Sequence, residues 1–116
     1  MADNKLADLS TEFAVQILRL TDSIKGHYSL ANQLERSGTS IGANIREAQY
    51  AHGKPDFIAK LQIALKEANE TGYWLELLYK TDYIDEQTYI SLNVACASIR
   101  VMLIASINTS KENSRG

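Results

Sequence analysis

The apolar residues of this chain recur at helical spacing almost without interruption, and the sequence contains a single proline, Pro55. Between Lys54 and Lys80 the apolar positions alternate steps of three and four residues, which is the seam of a left-handed helical bundle. No run of alternating apolar and polar residues predicts a strand. The sequence therefore predicts an all-α protein. The residues of this seam are Ile58, Leu61, Leu65, Ala68, Gly72, Leu75 and Tyr79.

Turn and capping residues divide the chain into four predicted helices. We expect the first helix to begin after Ser10 as its N-cap, and the second to begin near Ser29 and stop at Gly53. Pro55 suits the first turn of the third helix, where a missing N–H costs nothing, and Asp85 is a candidate N-cap for the fourth. Because short links force neighbouring helices to be antiparallel, we expect an up-down-up-down four-helix bundle.

The length and composition fit one domain, which we place at residues 10–110 between tails at 1–9 and 111–116. The formal charge of -2 gives no global basic signature. Cys96 is the only cysteine, which excludes an intramolecular disulfide and suits a reducing compartment. The first ten residues lack the apolar segment of a signal peptide, so we expect a cytoplasmic protein.

The segment from Arg36 to Ala48, RSGTSIGANIREA, is rich in glycine, serine and threonine and locally resembles a phosphate-binding loop. It lacks the Lys-Ser/Thr ending of a P-loop, and no strand precedes it. Apolar residues continue through it at helical spacing, so we interpret it as part of the second helix. Gly38 and Gly42 lie on one side of that helix, and each costs nearly 1 kcal/mol relative to alanine. We therefore expect close helix packing there, with a neighbour from the same bundle or from another copy.

The fourth predicted helix carries almost no charge. Between Gln87 and Ser110, Arg100 is the only charged residue, and apolar side chains cover much of the circumference. Three neighbouring helices could not cover so large an apolar surface, and exposed apolar patches usually mark interaction sites. We therefore expect a homo-oligomer. The apolar run Val94–Ile107 is too short for a membrane span and has Arg100 at its centre, so we expect no membrane contact.

Candidate catalytic and metal-binding residues are few. Glu47, Glu67 and Glu70 could converge between the second and third helices, but no histidine accompanies them at the spacing of a di-iron site. Oxygen ligands alone suit hard cations, whereas nearby basic residues favour structural ion pairs, which we expect here. Cys96 has no sequence reason for a lowered pKa, and no histidine lies within helical reach of the hydroxyl residues of the second helix. We expect no enzyme activity, no cofactor and no metal.

Two long motifs, LERSGTSIGANIREAQYA in the second helix and KPDFIAKLQIALKEANETGYWLELL in the third, resemble the signature of the 23S rRNA intervening-sequence proteins. Members of this family are also labelled S23 ribosomal proteins, and the first and fourth helices agree with them in pattern only. The resemblance implies a bacterial, cytoplasmic homopentamer of four-helix bundles. It also implies a relation to the accessory protein of diversity-generating retroelements, a pentamer that binds nucleic acid and a reverse transcriptase.

The resemblance leaves two functions open. One is binding of RNA or DNA through basic residues of the second and third helices, which five copies would gather into a ring despite the acidic balance of one chain. The other is an interaction scaffold whose partner is another protein. The candidate nucleic-acid-binding residues are Arg36, Arg46, Lys54, Lys60 and Lys66.

Overall fold

The computed structural model describes residues 4–115 and, of the side chains, those of residues 5–113. Short links join four helices, so each runs antiparallel to the one before it. Each helix packs against its neighbours in sequence, and α1 and α4 pack less closely. This described part contains no strand, and the predicted all-α four-helix bundle is confirmed. The helices are α1 Asn4–Ser23, α2 Tyr28–Gln49, α3 Lys54–Lys80 and α4 Glu86–Arg115.

Helix α1 begins at Asn4, so the prediction that Ser10 caps it is wrong. Ser10 is buried within the helix, and its hydroxyl donates a hydrogen bond to the carbonyl oxygen of Ala7 at 3.0 Å. A serine hydroxyl satisfied inside its own helix does not need a capping position. The core stripe of α1 therefore starts at Leu6, one turn before Ser10.

Both expected tails contain helical residues. Residues 4–9 belong to α1 and residues 111–115 belong to α4, whereas residues 1–3 and 116 lie outside the described residues.

The bundle measures 50 Å along its long axis and 21 by 19 Å across it. Helix α4, whose 30 residues span about 45 Å, therefore extends nearly the full length of an elongated molecule, whereas the 20 residues of α1 span about 30 Å.

The link between α2 and α3 differs from the expected one, because α2 ends at Gln49 and not at Gly53. Gly53 has a φ of 114° and occupies the N-cap position of α3, where its carbonyl oxygen accepts a hydrogen bond from the Phe57 N–H at 3.0 Å. A φ in this range favours glycine, which explains the residue type. Pro55 lies in the first turn of α3, as predicted.

Asp85 caps α4, as predicted. Its Oδ1 accepts a hydrogen bond from the Thr88 N–H at 2.7 Å. Hydrogen bonding to the backbone of Thr88, and then to its side chain, lowers the pKa of the Asp85 carboxyl. The ring of Tyr89 stacks on that of Tyr79 with 4.6 Å between centroids, which joins the start of α4 to the end of α3.

The buried seam of α3 differs in part from the predicted one. Three of the predicted positions are buried. At three others the predicted residue is not buried, and the residue that precedes it in the sequence is buried instead. Because α3 packs against both α2 and α4, its buried surface is centred between two neighbours and not on a single seam. The positions buried as predicted are Leu61, Ala68 and Leu75, and the replacing positions are Ala64, Thr71 and Leu78.

Candidate interaction surfaces

The two glycines of RSGTSIGANIREA lie on the side of α2 that faces α1. A Cβ atom on Gly38 would lie 3.0–3.4 Å from three side-chain atoms of Ile17, and one on Gly42 would lie 3.3 Å from the hydroxyl oxygen of Ser10. Ile17 and Ser10 are both buried, so the helices meet at a distance that a larger side chain would not allow. The close neighbour belongs to the same chain, and this segment is an architectural part of the bundle.

A buried hydroxyl pair joins α2 to α3. Oγ1 of Thr71 lies 2.9 Å from Oγ of Ser37 and 2.8 Å from the carbonyl oxygen of Glu67. Among the described residues, every buried side-chain nitrogen and oxygen atom has a hydrogen-bond partner. These hydroxyls therefore serve packing specificity and are not poised as nucleophiles. Sequence periodicity gave no signal for this pair, because a buried serine or threonine looks like a break in an apolar stripe.

Arg36 on α2 bridges two carboxylates of α3. Its Nη1 lies 3.3 Å from Oε1 of Glu67, and its Nη2 forms an ion pair with Glu70, which also accepts a hydrogen bond from Nε1 of Trp74 at 3.1 Å. Two acids beside one base leave this cluster with a net negative charge, which does not attract a phosphate backbone. Glu47 is exposed on α2 and takes part in none of the ion pairs between described residues.

The other candidate nucleic-acid-binding residues do not form one patch. Lys54, Lys60 and Lys66 follow each other on α3 at intervals of six residues, and each interval turns the side chain by about 240° around the helix. The three lysines therefore lie on three different faces, with Lys60 half-buried and the other two exposed. Arg46 is exposed near the end of α2. One copy of the chain thus presents no continuous basic groove along α2 and α3.

Residues 5–113 contain no group of three or more histidine, cysteine or carboxylate side chains that could hold a metal ion. Cys96 is buried on α4, with its Sγ 3.3 Å from the carbonyl oxygen of Ala68. Burial raises the pKa of the Cys96 thiol to about 11, although the charge of Arg100 lowers it in part. The thiol is therefore neutral at pH 7 and unsuited to nucleophilic attack.

Helix α4 has apolar residues on two opposite sides. One side packs in the bundle core, while the other carries four exposed aliphatic side chains, of which Val101 is 66% exposed. Their spacing places them within an arc of about 80° along about 21 Å of helix. The side chain of Arg100 reaches α3, where its Nη1 lies 3.8 Å from the position that a Cβ on Gly72 would take. We call the exposed set the outer face of α4: Ile90, Val94, Val101 and Ile104. The core side consists of Leu92, Cys96, Ile99, Leu103 and Ile107.

A groove of about 630 Å³ between α1 and α4 continues the outer face of α4. Val94 and Val101 belong to both surfaces, and Phe13 and Met102 line the groove. Among the described residues, the segment Glu86–Asn113 is the one helical stretch long and apolar enough, by length and composition, to cross a membrane. Of its most apolar window, 28% is buried inside the bundle, and the remaining residues are half-buried or exposed.

The fold and these surfaces define the class of protein: an antiparallel four-helix bundle with an uncovered apolar face on its last helix. The family model described as 23S rRNA-intervening sequence protein matches residues 2–105, and the chain belongs to this family. The resemblance predicted from the motifs of the second and third helices is thereby confirmed.

A crystal structure of a protein with unknown function from the S23 ribosomal protein family of Bacteroides thetaiotaomicron VPI-5482 is similar to this chain. The two share 50% identity over 93% of this chain and 99% of that chain, with a TM-score of 0.87. No curated protein matches the chain. The comparisons therefore show the family and the fold, and the similar Bacteroides protein is itself a protein with unknown function.

Proposed function

We propose that this protein is a non-enzymatic bundle that assembles with copies of itself and acts in the cytoplasm as a binding scaffold. The observation that carries the proposal is the outer face of α4, where four adjacent aliphatic side chains are exposed on the side opposite the core. A contiguous apolar surface of this kind is typical of an interface between subunits.

The energetics favour an interface that includes the groove between α1 and α4. Burying the exposed half of four aliphatic side chains would contribute about 3–6 kcal/mol. Association itself costs at least about 4 kcal/mol in lost translational and rotational freedom. The outer face alone would therefore give weak association, so we expect the interface to bury the adjoining groove as well. Five copies in a closed ring, as the motif resemblance implies, would place this surface against a different surface of the next copy.

Light scattering on a sizing column, with the ultraviolet absorbance ratio that reveals nucleic acid, tests this proposal. We expect a mass near five times the 12.9 kDa of one chain, in buffer without detergent. A monomer at micromolar concentration would overturn the proposal. A protein that stays in solution only with detergent would also overturn it and would point to a membrane as the partner of α4.

Binding of RNA or DNA is a second candidate function, carried by basic residues repeated around the assembly. Arg46 is exposed one turn before Tyr50, whose side chain is 77% exposed, and unpaired bases stack readily on exposed aromatic rings. Because the lysines of one chain diverge, this function requires several copies to form a basic surface. The expected relation to the accessory protein of diversity-generating retroelements stays a prediction.

Fluorescence anisotropy of a labelled single-stranded oligonucleotide separates the two candidates. Nucleic-acid binding predicts an anisotropy increase at low salt that falls steeply as salt is added, because counterion release drives the contact. No increase at high micromolar protein would exclude this function and leave a scaffold whose partner is another protein.

A further inference from the structure

One end of the bundle, where α2 and α4 end and α3 begins, contains an open cavity of about 660 Å³. This volume lies within the usual range for small-molecule sites, which occur between the helices of bundles. Its apolar lining includes residues from three helices, namely Leu6 of α1, Ile45 of α2, and Phe57 and Leu61 of α3. This cavity, which we call the end cavity, shares no residue with the outer face of α4.

Among the lining residues whose side chains the structure describes, Lys54 is the one that carries a charge. Its side chain is exposed and takes part in none of the ion pairs between described residues. Lys54 is also the first residue of α3, and the N-cap residue Gly53 supplies no side-chain hydrogen bond, so the positive end of the helix dipole adds to the lysine charge. Asp56 is also in the first turn of α3 but is not among the described lining residues, and its carboxylate accepts a hydrogen bond from the His52 N–H at 3.2 Å.

The remaining polar residues of the lining are uncharged. On α4 they include Thr109 and Asn113, whose side chains offer hydrogen bonds without adding charge. The end cavity thus combines an apolar wall, one cationic side chain and neutral hydrogen-bonding groups. This combination fits a ligand with an apolar body and a single negative charge.

We propose that the end cavity binds a single-chain amphiphile with a carboxylate head, such as a medium-chain fatty acid. The alkyl chain lies against the half-buried ring of Phe57 and the exposed methyl group of Ala105, and the carboxylate lies near the ammonium of Lys54. The site is independent of assembly through α4, so the failure of one proposal does not decide the other.

Isothermal titration calorimetry on the full chain, with octanoate, nonanoate and decanoate below their micelle concentrations, tests this site. Each added methylene that is buried should tighten binding about fourfold. Lys54→Gln should weaken decanoate binding about fivefold, as expected for a partly screened charge contact, and should leave the neutral methyl ester unaffected. Absence of decanoate binding, or an affinity independent of chain length, would overturn the proposal.

Two blocking variants locate the binding. Ala105 of α4 and Ala51 of the α2–α3 link both line the end cavity, so Ala105→Phe and Ala51→Phe should each weaken decanoate binding at least tenfold. Ala59 is an exposed alanine of α3 that does not line the cavity, and Ala59→Phe is the matched control. Circular dichroism verifies that each variant keeps its helices. Equal affinity of both blocking variants and the control would place any binding elsewhere and refute the site.

Discussion

Replacement of Gly38 by alanine tests whether α1 and α2 are held at a distance that only glycine allows. In an open position inside a helix, this change stabilises a protein by nearly 1 kcal/mol, because alanine is the better helix former. At Gly38 the new Cβ would lie 3.0, 3.1 and 3.4 Å from three atoms of Ile17. Ile17 is β-branched and has no exposed surface, so its side chain has one strongly preferred rotamer and no space to move into.

The change in the free energy of unfolding caused by Gly38→Ala is the difference between two opposing effects. An extra methyl group in a packed core costs about 1–3 kcal/mol, and three contacts with a rigid neighbour support a value of about 2 kcal/mol. The gain in helix propensity offsets about 1 kcal/mol of this cost. Gly38→Ala should therefore lower the free energy of unfolding by about 1 kcal/mol, which corresponds to a fall in Tm of about 4 °C for a chain of 116 residues.

Urea unfolding, monitored by circular dichroism, measures the free energy of unfolding of Gly38→Ala and of a control variant, Gly72→Ala. Gly72→Ala should raise the free energy of unfolding by about 1 kcal/mol, because the nearest atom to the new Cβ is Nη1 of Arg100 at 3.8 Å, an ordinary contact. Gly38→Ala should also become stabilising in an Ile17→Ala background, which lacks the Cγ atoms. If Gly38→Ala stabilised the unmodified chain as much as Gly72→Ala does, the close approach of α1 and α2 would be refuted.

Two further predictions concern groups with shifted pKa values. The pKa of Asp85 is lowered in the folded state, so its stabilising effect is present above the ordinary value of 3.8 and is lost as the pH falls through the lowered value. Asp85→Asn keeps a capping oxygen and should remove this part of the acid dependence in thermal melts; identical acid profiles for the two proteins would contradict it. Cys96, with a pKa of about 11 and a buried thiol, should react with a disulfide reagent at pH 8 only as fast as the protein unfolds. A rapid stoichiometric reaction in native buffer would contradict this.

Local periodicity was sufficient to predict four helices, because each helix must bury a stripe of its own sequence. The helix ends were less predictable, since the role of an end residue depends on what packs against it. Ser10 has the chemistry of an N-cap, but the backbone of α1 continues past it because its hydroxyl bonds to Ala7 and its small size suits the approach of Gly42. Gly53 was expected to stop α2, yet its positive φ serves the start of α3.

The candidate surfaces were predictable to different degrees. The missing charge between Gln87 and Ser110 indicated an uncovered surface on the fourth helix, because a helix that faces water normally carries charges. The sequence could not assign individual residues to the core side or to the outer face. Glu67 and Glu70 were recognisable as neighbours on one helix, but the position of Arg36 opposite them depends on how α2 packs against α3. No local sequence pattern predicts the end cavity, because the residues that line it come from four helices and a link.

Copies of the chain are proposed to meet at the outer face of α4, and the solution mass of two charged variants tests this most directly. Val101→Glu places a carboxylate in that face, whereas Ile63→Glu makes the same kind of change at an exposed apolar residue of the charged helix α3. Sedimentation equilibrium should give several times 12.9 kDa for the unmodified chain and for Ile63→Glu. Val101→Glu should sediment as a folded monomer, because an unpaired charge is costly to bury. A monomeric unmodified chain, or a Val101→Glu protein with the full assembled mass, would contradict an interface at this face.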